Sequence, residues 1–207
     1  MSRKRDQRRR ALFLDRDGVL VRDVGLITRA EQLLVAEDAP EALCRADRLG
    51  LSLVVVTNQT VIARGLASES DVDALHLALE RTLTSRGAPS FCRVYVCPHH
   101  PHAQVERYRT ICTCRKPQPG ALLRAARELD LDLAECFLVG DRASDVAAAR
   151  ACGVTALLLL GPESAAEPIV GAEALGALGE PEVVVSSLSA ALDWIEGKLA
   201  EREAFVA

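Results

Sequence analysis

Along the chain, short unbroken apolar runs alternate with stretches whose apolar positions recur every three or four residues. Residues 11–14, 51–56, 91–96, 136–139, 155–160 and 183–185 are too short for buried helices and read as interior strands. Helical patterns separate them. One covers 39–49, with Asp38 as its expected N-cap, Pro40 in the first turn and Gly50 just past the end. The next opens at Ser68, sets Val72, Leu75, Leu79 and Leu83 on one face, and stops at Gly87. Residues 119–129, 144–151 and 188–199 give three more. The Gly-, Ala- and Pro-rich stretch 161–181 shows no clear period and reads as helix only in part.

Strands alternating with helices imply right-handed crossovers and a mostly parallel sheet covered on both faces. The expected fold is therefore a doubly wound, Rossmann-like α/β domain, which places working groups beyond the carboxyl ends of the strands. Three polar clusters fall at such ends: Asp15 to Gly18, Thr57 to Gln59, and Gly140-Asp141.

A length of 207 residues suits one domain, expected over 11–207, behind a basic tail at 1–10. That tail carries Arg3, Lys4, Arg5, Arg8, Arg9 and Arg10 but no long apolar stretch follows, so it reads as solvated rather than as a targeting signal. No segment is long and apolar enough for a membrane span, and the expected location is the cytoplasm. A net charge of −4 gives no reason to expect nucleic acid or membrane as a partner. A monomer acting on a small molecule is the expectation. The cysteines number seven, an odd count that argues against a disulfide framework, and three of them cluster as metal ligands do.

Asp15 and Asp17 stand where the first strand stops, with Gly18 allowing a sharp turn. One carboxylate can act as nucleophile while the other moves protons. Asp141, after another strand, can add a carboxylate oxygen to a shared hard cation, and magnesium suits few carboxylates plus a phosphate. Thr57 and Asn58 offer a hydroxyl and backbone N–H groups to phosphate oxygens, and Lys116 a positive charge for a transferring phosphoryl group. Taken singly, each has a plainer reading. Asp-x-Asp-Gly also suits a turn or calcium loop, Thr-Asn-Gln a turn, and Lys116 a surface position.

Taken in this order, the residues resemble the haloacid-dehalogenase phosphatase superfamily from residue 11 to about 199. Phe13-Leu14-Asp15-Arg16-Asp17-Gly18-Val19 is similar to its first motif and Thr57-Asn58-Gln59 to its second. Lys116 matches its third, and Gly140-Asp141 with Asp145 its fourth. The resemblance implies that Asp15 attacks phosphorus while Asp17 protonates the leaving alkoxide and later activates water. It also implies magnesium on Asp15, Asp141 and the backbone carbonyl of Asp17, with Thr57 and Lys116 in the catalytic set and Asp145 orienting Lys116.

Cys97-Pro98-His99 and Cys112-Thr113-Cys114 supply three thiolates and an imidazole, a donor set common in closed structural zinc sites. His100 and His102 are rival ligands. The loop 97–116, read on to Arg115-Lys116-Pro117, is similar to that of the bacterial D,D-heptose 1,7-bisphosphate phosphatases and their histidinol-phosphate phosphatase relatives. That likeness favours His99 as the ligand. It implies no large cap domain and a sugar bisphosphate as substrate, with histidinol phosphate as the alternative; a non-catalytic zinc-bearing scaffold is the alternative of another class. It carries substrate contacts to Asp23, Gly25, Thr57, Asn58, Gln59, Thr60, Arg115, Lys116 and Arg142. The chain departs from that family where a histidine and a tyrosine are usual and it has Val24 and Leu26. Thr60-Val61 stands in place of Ser-Gly, and Arg142 in place of a lysine. These changes fall on substrate loops and leave the reacting groups intact.

Overall fold

The structure is a computed structural model that describes residues 10–161 and 179–206. Six parallel strands form one sheet: β1 (Arg10–Leu14), β2 (Leu51–Asn58), β3 (Arg93–Cys97), β4 (Phe137–Gly140), β5 (Thr155–Leu159) and β6 (Val183–Val185). Their spatial order is β3-β2-β1-β4-β5-β6. The helices are α1 (Ala39–Arg48), α2 (Thr60–Ala63), α3 (Glu69–Ser85), α4 (Gly120–Leu129), α5 (Ala143–Arg150) and α6 (Leu188–Val206). The expected α/β class is the observed one.

Alternation along β1 divides the core. Leu12 and Leu14 pack with Leu43 of α1, Leu79 of α3 and Leu192 of α6. Ala11 and Phe13 face the other way, onto Leu122 of α4 and Val146 of α5. Each buried Leu, Phe or Val of these sets contributes about 1.5–3 kcal/mol by leaving water, so the central strand is held from both faces. A smaller third cluster joins Val61 and Ile62 of α2 to Val72, Ala103 and Tyr108, under the loop that follows β3.

Strand order runs outward from β1 through β2 to β3 on one side, and from β4 through β5 to β6 on the other. The switch point therefore lies between β1 and β4, where open parallel sheets part to admit a ligand. Leu14 pairs with Val139, and the Asp15 N–H donates to the Val139 carbonyl at 3.1 Å. This pairing brings the residues after both strands out side by side.

Several expected boundaries shift. Arg10 opens β1 in register with Leu51 and pairs with Glu135 at 3.4 Å, so it is not part of a tail. Residues 1–9 and most of 161–181 lie outside the described residues. The third strand starts at Arg93 rather than 91 and takes in Cys97, while α6 runs beyond 199 to Val206. Asp38 does not cap α1. Its backbone is already helical at φ −84°, ψ −11°, whereas a capping residue needs extended geometry to fold its side chain back. Its carboxylate instead accepts from Ser189 N at 2.8 Å, in the first turn of α6. Ser68, extended at ψ 168°, does cap α3. The single turn α2 was not anticipated from the sequence. Among the described residues no helix is long and apolar enough to cross a membrane.

Candidate active site

The strand ends deliver their polar residues into the switch point. Asp15 follows β1, Thr57 is the penultimate residue of β2, and Asp141 follows β4, with Asp145 in the first turn of α5. Carboxylate oxygens of Asp15, Asp141 and Asp145 lie within 4.8 Å of one another. The Lys116 ammonium enters from the loop before α4 and sits 2.9 Å from Asp15 Oδ2 and 2.5 Å from Asp145 Oδ1, while donating to the Val56 carbonyl at 2.9 Å. Burial alone would push Lys116 down, but the Asp145 and Asp15 carboxylates override it and hold the ammonium charged. Asp15 is fixed from its other side too, as Oδ1 accepts from Arg16 N at 2.7 Å.

Glycine is required at two contacts of this cluster, and at Gly140 a Cβ would stand 2.3 Å from Asp145 Cβ. Gly18 has φ +81°, and a Cβ there would stand 2.2 Å from Asp141 Oδ2. Any side chain would drive the first motif and the Asp141 carboxylate apart.

One ammonium faces three buried carboxylates. Burial, then the charges of Asp15 and Asp145, push Asp141 up to about 8, and its Oδ1 is buried without a hydrogen-bond partner. A divalent cation with oxygen preference would supply the missing positive charge at that oxygen, so the residues present fit magnesium. The third carboxylate of the group is Asp145, while the side chain of Asp17 is engaged elsewhere. Asp17 accepts from Arg16 Nε and Nη2, both at 2.9 Å, and from Gln59 Nε2 at 3.0 Å.

Gln59 Nε2 also donates to Thr57 Oγ1 at 2.8 Å. Asn58 grips the Lys116 backbone with both ends of its amide: Nδ2 donates to the Lys116 carbonyl at 3.1 Å, and Oδ1 accepts the Lys116 N–H at 3.2 Å. Sequence reasoning missed this clamp, and it missed Arg16. A charged residue between two motif aspartates, on the edge of an apolar strand, was the available signal.

The second polar group sits at the end of β3. Sulfur–sulfur separations are 3.6 Å for Cys97–Cys112 and 3.3 Å for both Cys114–Cys97 and Cys114–Cys112. His99 Nδ1 is 3.4 Å from Cys114 Sγ and 3.8 Å from Cys97 Sγ. Tetrahedral zinc with bonds of about 2.3 Å has ligand separations of about 3.8 Å, so this near-closed set of soft donors fits zinc. Of the rivals, His100 Nδ1 accepts from His102 N at 3.1 Å, and neither residue joins the four-donor group. The loop rests on α2, as Gln104 and Val105 both donate to the Ala63 carbonyl.

The expected substrate residues border the site. Arg115 Nη1 donates to the His99 carbonyl at 3.1 Å, tying it to the four-donor group. Arg142 Nη2 lies 2.6 Å from Asp23 Oδ2, and Asp23 Oδ1 accepts from Gly25 N at 2.9 Å. With the Arg142 side chain 57% exposed, this pair contributes under about 1 kcal/mol and can open for a ligand. Val24 and Leu26 flank Gly25 with exposed side chains, and Thr60 begins α2.

Comparisons with known proteins bear on both groups. A family profile described as HAD-hydrolase-like matches residues 113–191. The D-glycero-beta-D-manno-heptose-1,7-bisphosphate 7-phosphatase of Escherichia coli strain K12 is 34% identical over 191 residues, covering 92% of this chain and 90% of that protein. The corresponding alpha-anomer enzyme of Burkholderia mallei is 40% identical over 166 residues, covering 80% of this chain and 87% of its own. A crystal structure of D,D-heptose 1,7-bisphosphate phosphatase from B. bronchiseptica, complexed with magnesium and phosphate, superposes with a TM-score of 0.74 at 28% identity. It covers 92% of this chain and 99% of that one.

Proposed function

The chain belongs to the HAD-like phosphoric monoester hydrolases, in the family of the heptose-1,7-bisphosphate 7-phosphatases, and from that premise we propose that it removes the 7-phosphate of a D-glycero-D-manno-heptose 1,7-bisphosphate through a phospho-aspartate on Asp15. The observation that carries the chemistry is the Lys116 ammonium bridging Asp15 and Asp145, beside the unpartnered oxygen of Asp141.

Asp15 attacks phosphorus. Asp17 gives a proton to the departing sugar oxygen, then takes one from the water that hydrolyses the phospho-enzyme. Lys116 offsets charge on the phosphoryl oxygens, and the Thr57 hydroxyl, whose oxygen already accepts from Gln59, directs its own proton at one of them. Asp15, Asp141 and the Asp17 carbonyl would hold magnesium, which supplies positive charge against the phosphoryl and carboxylate oxygens. Cys97, His99, Cys112 and Cys114 would hold a structural zinc. Asp23, Gly25, Thr60, Arg115 and Arg142 form the substrate rim, backed by Asn58 and Gln59, whose amides hold Lys116, Asp17 and Thr57. The Arg115 fork is suited to a second phosphate or sugar oxygens. On this reading residues 10–207 are one domain, acting as a cytoplasmic monomer on a small sugar phosphate.

The test is phosphate release with magnesium from both anomers of the bisphosphate, heptose 7-phosphate and histidinol phosphate. The bisphosphate should lead by about 30-fold in kcat/KM, the worth of one desolvated charge-assisted contact of about 2 kcal/mol. Acid-quenched enzyme should carry phosphate on Asp15, and Asp15→Asn should lose at least about 10³-fold in turnover while keeping its melting temperature. Preference for histidinol phosphate would move the substrate assignment to the sister family. Full turnover by Asp15→Asn would remove the nucleophile.

A further inference from the structure

Arg16 is the largest fully buried side chain among the described residues, 1% exposed, and its guanidinium meets a catalytic carboxylate. Its Nε meets Asp17 Oδ1 and its Nη2 meets Asp17 Oδ2, each at 2.9 Å. Gln59 Nε2 adds a second donor to Oδ2 at 3.0 Å. An ionised carboxylate offers about four lone-pair positions, two on each oxygen. Two donors therefore fill Oδ2, while the single donor on Oδ1 leaves one position open.

We propose that Arg16 and Gln59 are positioning residues that present one lone pair of Asp17 Oδ1 as the seat of the catalytic proton. The inference rests on the acid–base role given to Asp17 above. In the first half-reaction the proton on Oδ1 passes to the leaving oxygen as its bond to phosphorus breaks and the Asp15–phosphorus bond forms. In the second, water attacks phosphorus, the Asp15–phosphorus bond breaks, and the water proton returns to Oδ1.

Stability does not account for the arrangement. Replacing a buried ion pair with apolar groups of similar volume is often neutral or favourable, so a core of this kind has no need of the guanidinium. The surroundings give it little else to do. Arg16 Nη1 and both ring nitrogens of His76 are buried without a hydrogen-bond partner among the described residues. Burial, then the Arg16 charge, push His76 down to about 4, so it stays neutral and offers no counter-charge. A planar fork, unlike an ammonium, fixes the plane of the carboxyl group as well as its position. Gln59 extends the control, since the same amide nitrogen that meets Asp17 also meets Thr57. The proton carrier and the phosphoryl-binding hydroxyl are thus set by one side chain.

The test is the dependence of kcat/KM on the leaving group, measured with magnesium on p-nitrophenyl phosphate, phenyl phosphate and a sugar phosphate. This parameter covers events only up to the phospho-enzyme, so a poor leaving group needs the acid and p-nitrophenolate does not. General acid catalysis is worth about 10²–10⁴-fold, and losing its alignment should forfeit part of that. Arg16→Met should lose about 10- to 100-fold on the sugar phosphate and under about threefold on p-nitrophenyl phosphate. Arg16→Lys should remain as impaired as Arg16→Met, because charge without the fork does not orient the group. Gln59→Met should shift the same slope to a smaller extent, and it carries the test should the Arg16 variants fail to fold. In an Asp17→Asn background the Arg16 change should add nothing. Equal losses on all three substrates, with Asp17→Asn still selective for poor leaving groups, would overturn the positioning role alone. A flat response of Asp17→Asn itself would overturn the acid assignment and the inference with it.

Discussion

Asp15, Thr57, Lys116 and Asp141 come from four separate parts of the chain, whereas Cys97, His99, Cys112 and Cys114 come from the end of β3 and the loop that follows it. The first set is held by the sheet. β1 and β4 fix the two aspartates, and Lys116 is clamped by Asn58 and neutralised by two carboxylates. The second set has a single anchor in the sheet, Cys97 at the end of β3, and its other donors are carried by the loop. The acidic site is therefore held by contacts from several strands, and the thiol site rests largely on the contacts among its own donors. They meet at Arg115 and Lys116, the residues that leave the thiol loop and enter the acidic cluster.

The strongest blow to this contrast is Lys116→Met. It leaves Asp15 and Asp145 buried without their cation and should cost about 3–5 kcal/mol of folding stability as well as activity. Saturating magnesium should restore part of the stability but little turnover. A thermal midpoint unchanged in magnesium-free buffer would show that the cluster does not depend on its internal cation.

Cys112→Ala comes next. It should lower zinc content measured by elemental analysis from about one per chain, and cost about 2 kcal/mol, or about 4–8 °C. Some activity should go with it, because the loop delivers Lys116. Full zinc retention would take Cys112 out of the ligand set and bring His100 or His102 back in.

The smallest effect is in pH. In cation-free protein Asp141 titrates at about 8, above its ordinary 3.8, so the folded state keeps a proton that the unfolded chain has released. Its stabilising share is present at low pH and is lost as pH rises toward 8. His76, pushed down to about 4 from 6.5, acts in the opposite sense, and only below about pH 6.5. From about pH 6.5 to 8 the magnesium-free protein should thus lose on the order of 1 kcal/mol, about 2–4 °C in its melting midpoint. Magnesium or Asp141→Asn should flatten that slope. A slope surviving in Asp141→Asn would assign it to another group.

The strands were legible because β1, β2 and β4 are buried on both faces and so appear as unbroken apolar runs. Their polar ends were legible for the same reason, as each run stops where the backbone leaves the sheet. What the sequence concealed was side-chain direction. Asn58 and Gln59 were expected to face substrate, yet their amides grip the Lys116 backbone and the Asp17 and Thr57 oxygens. Asp38 looked like the cap of the helix it precedes and serves α6, which lies far along the chain. The turn α2 shows only three apolar residues, too few for a period. Each of these depends on partners that no local spacing encodes.

The strand order also governs when this chain can first do chemistry during its synthesis. As the chain leaves the ribosome, β1, β2 and β3 are available to pair early, but the flank of β1 that receives β4 must wait until residue 140 has emerged. Until then Asp15 lacks Asp141, and the half-built sheet exposes an open central edge to other chains. A nascent fragment that stops short of β4 therefore holds Asp15 without the carboxylate that stands beside it in the folded chain. The arrival of β4 covers the open flank of β1 and brings Asp141 beside Asp15 in one step, while the outer edge of β4 waits for β5.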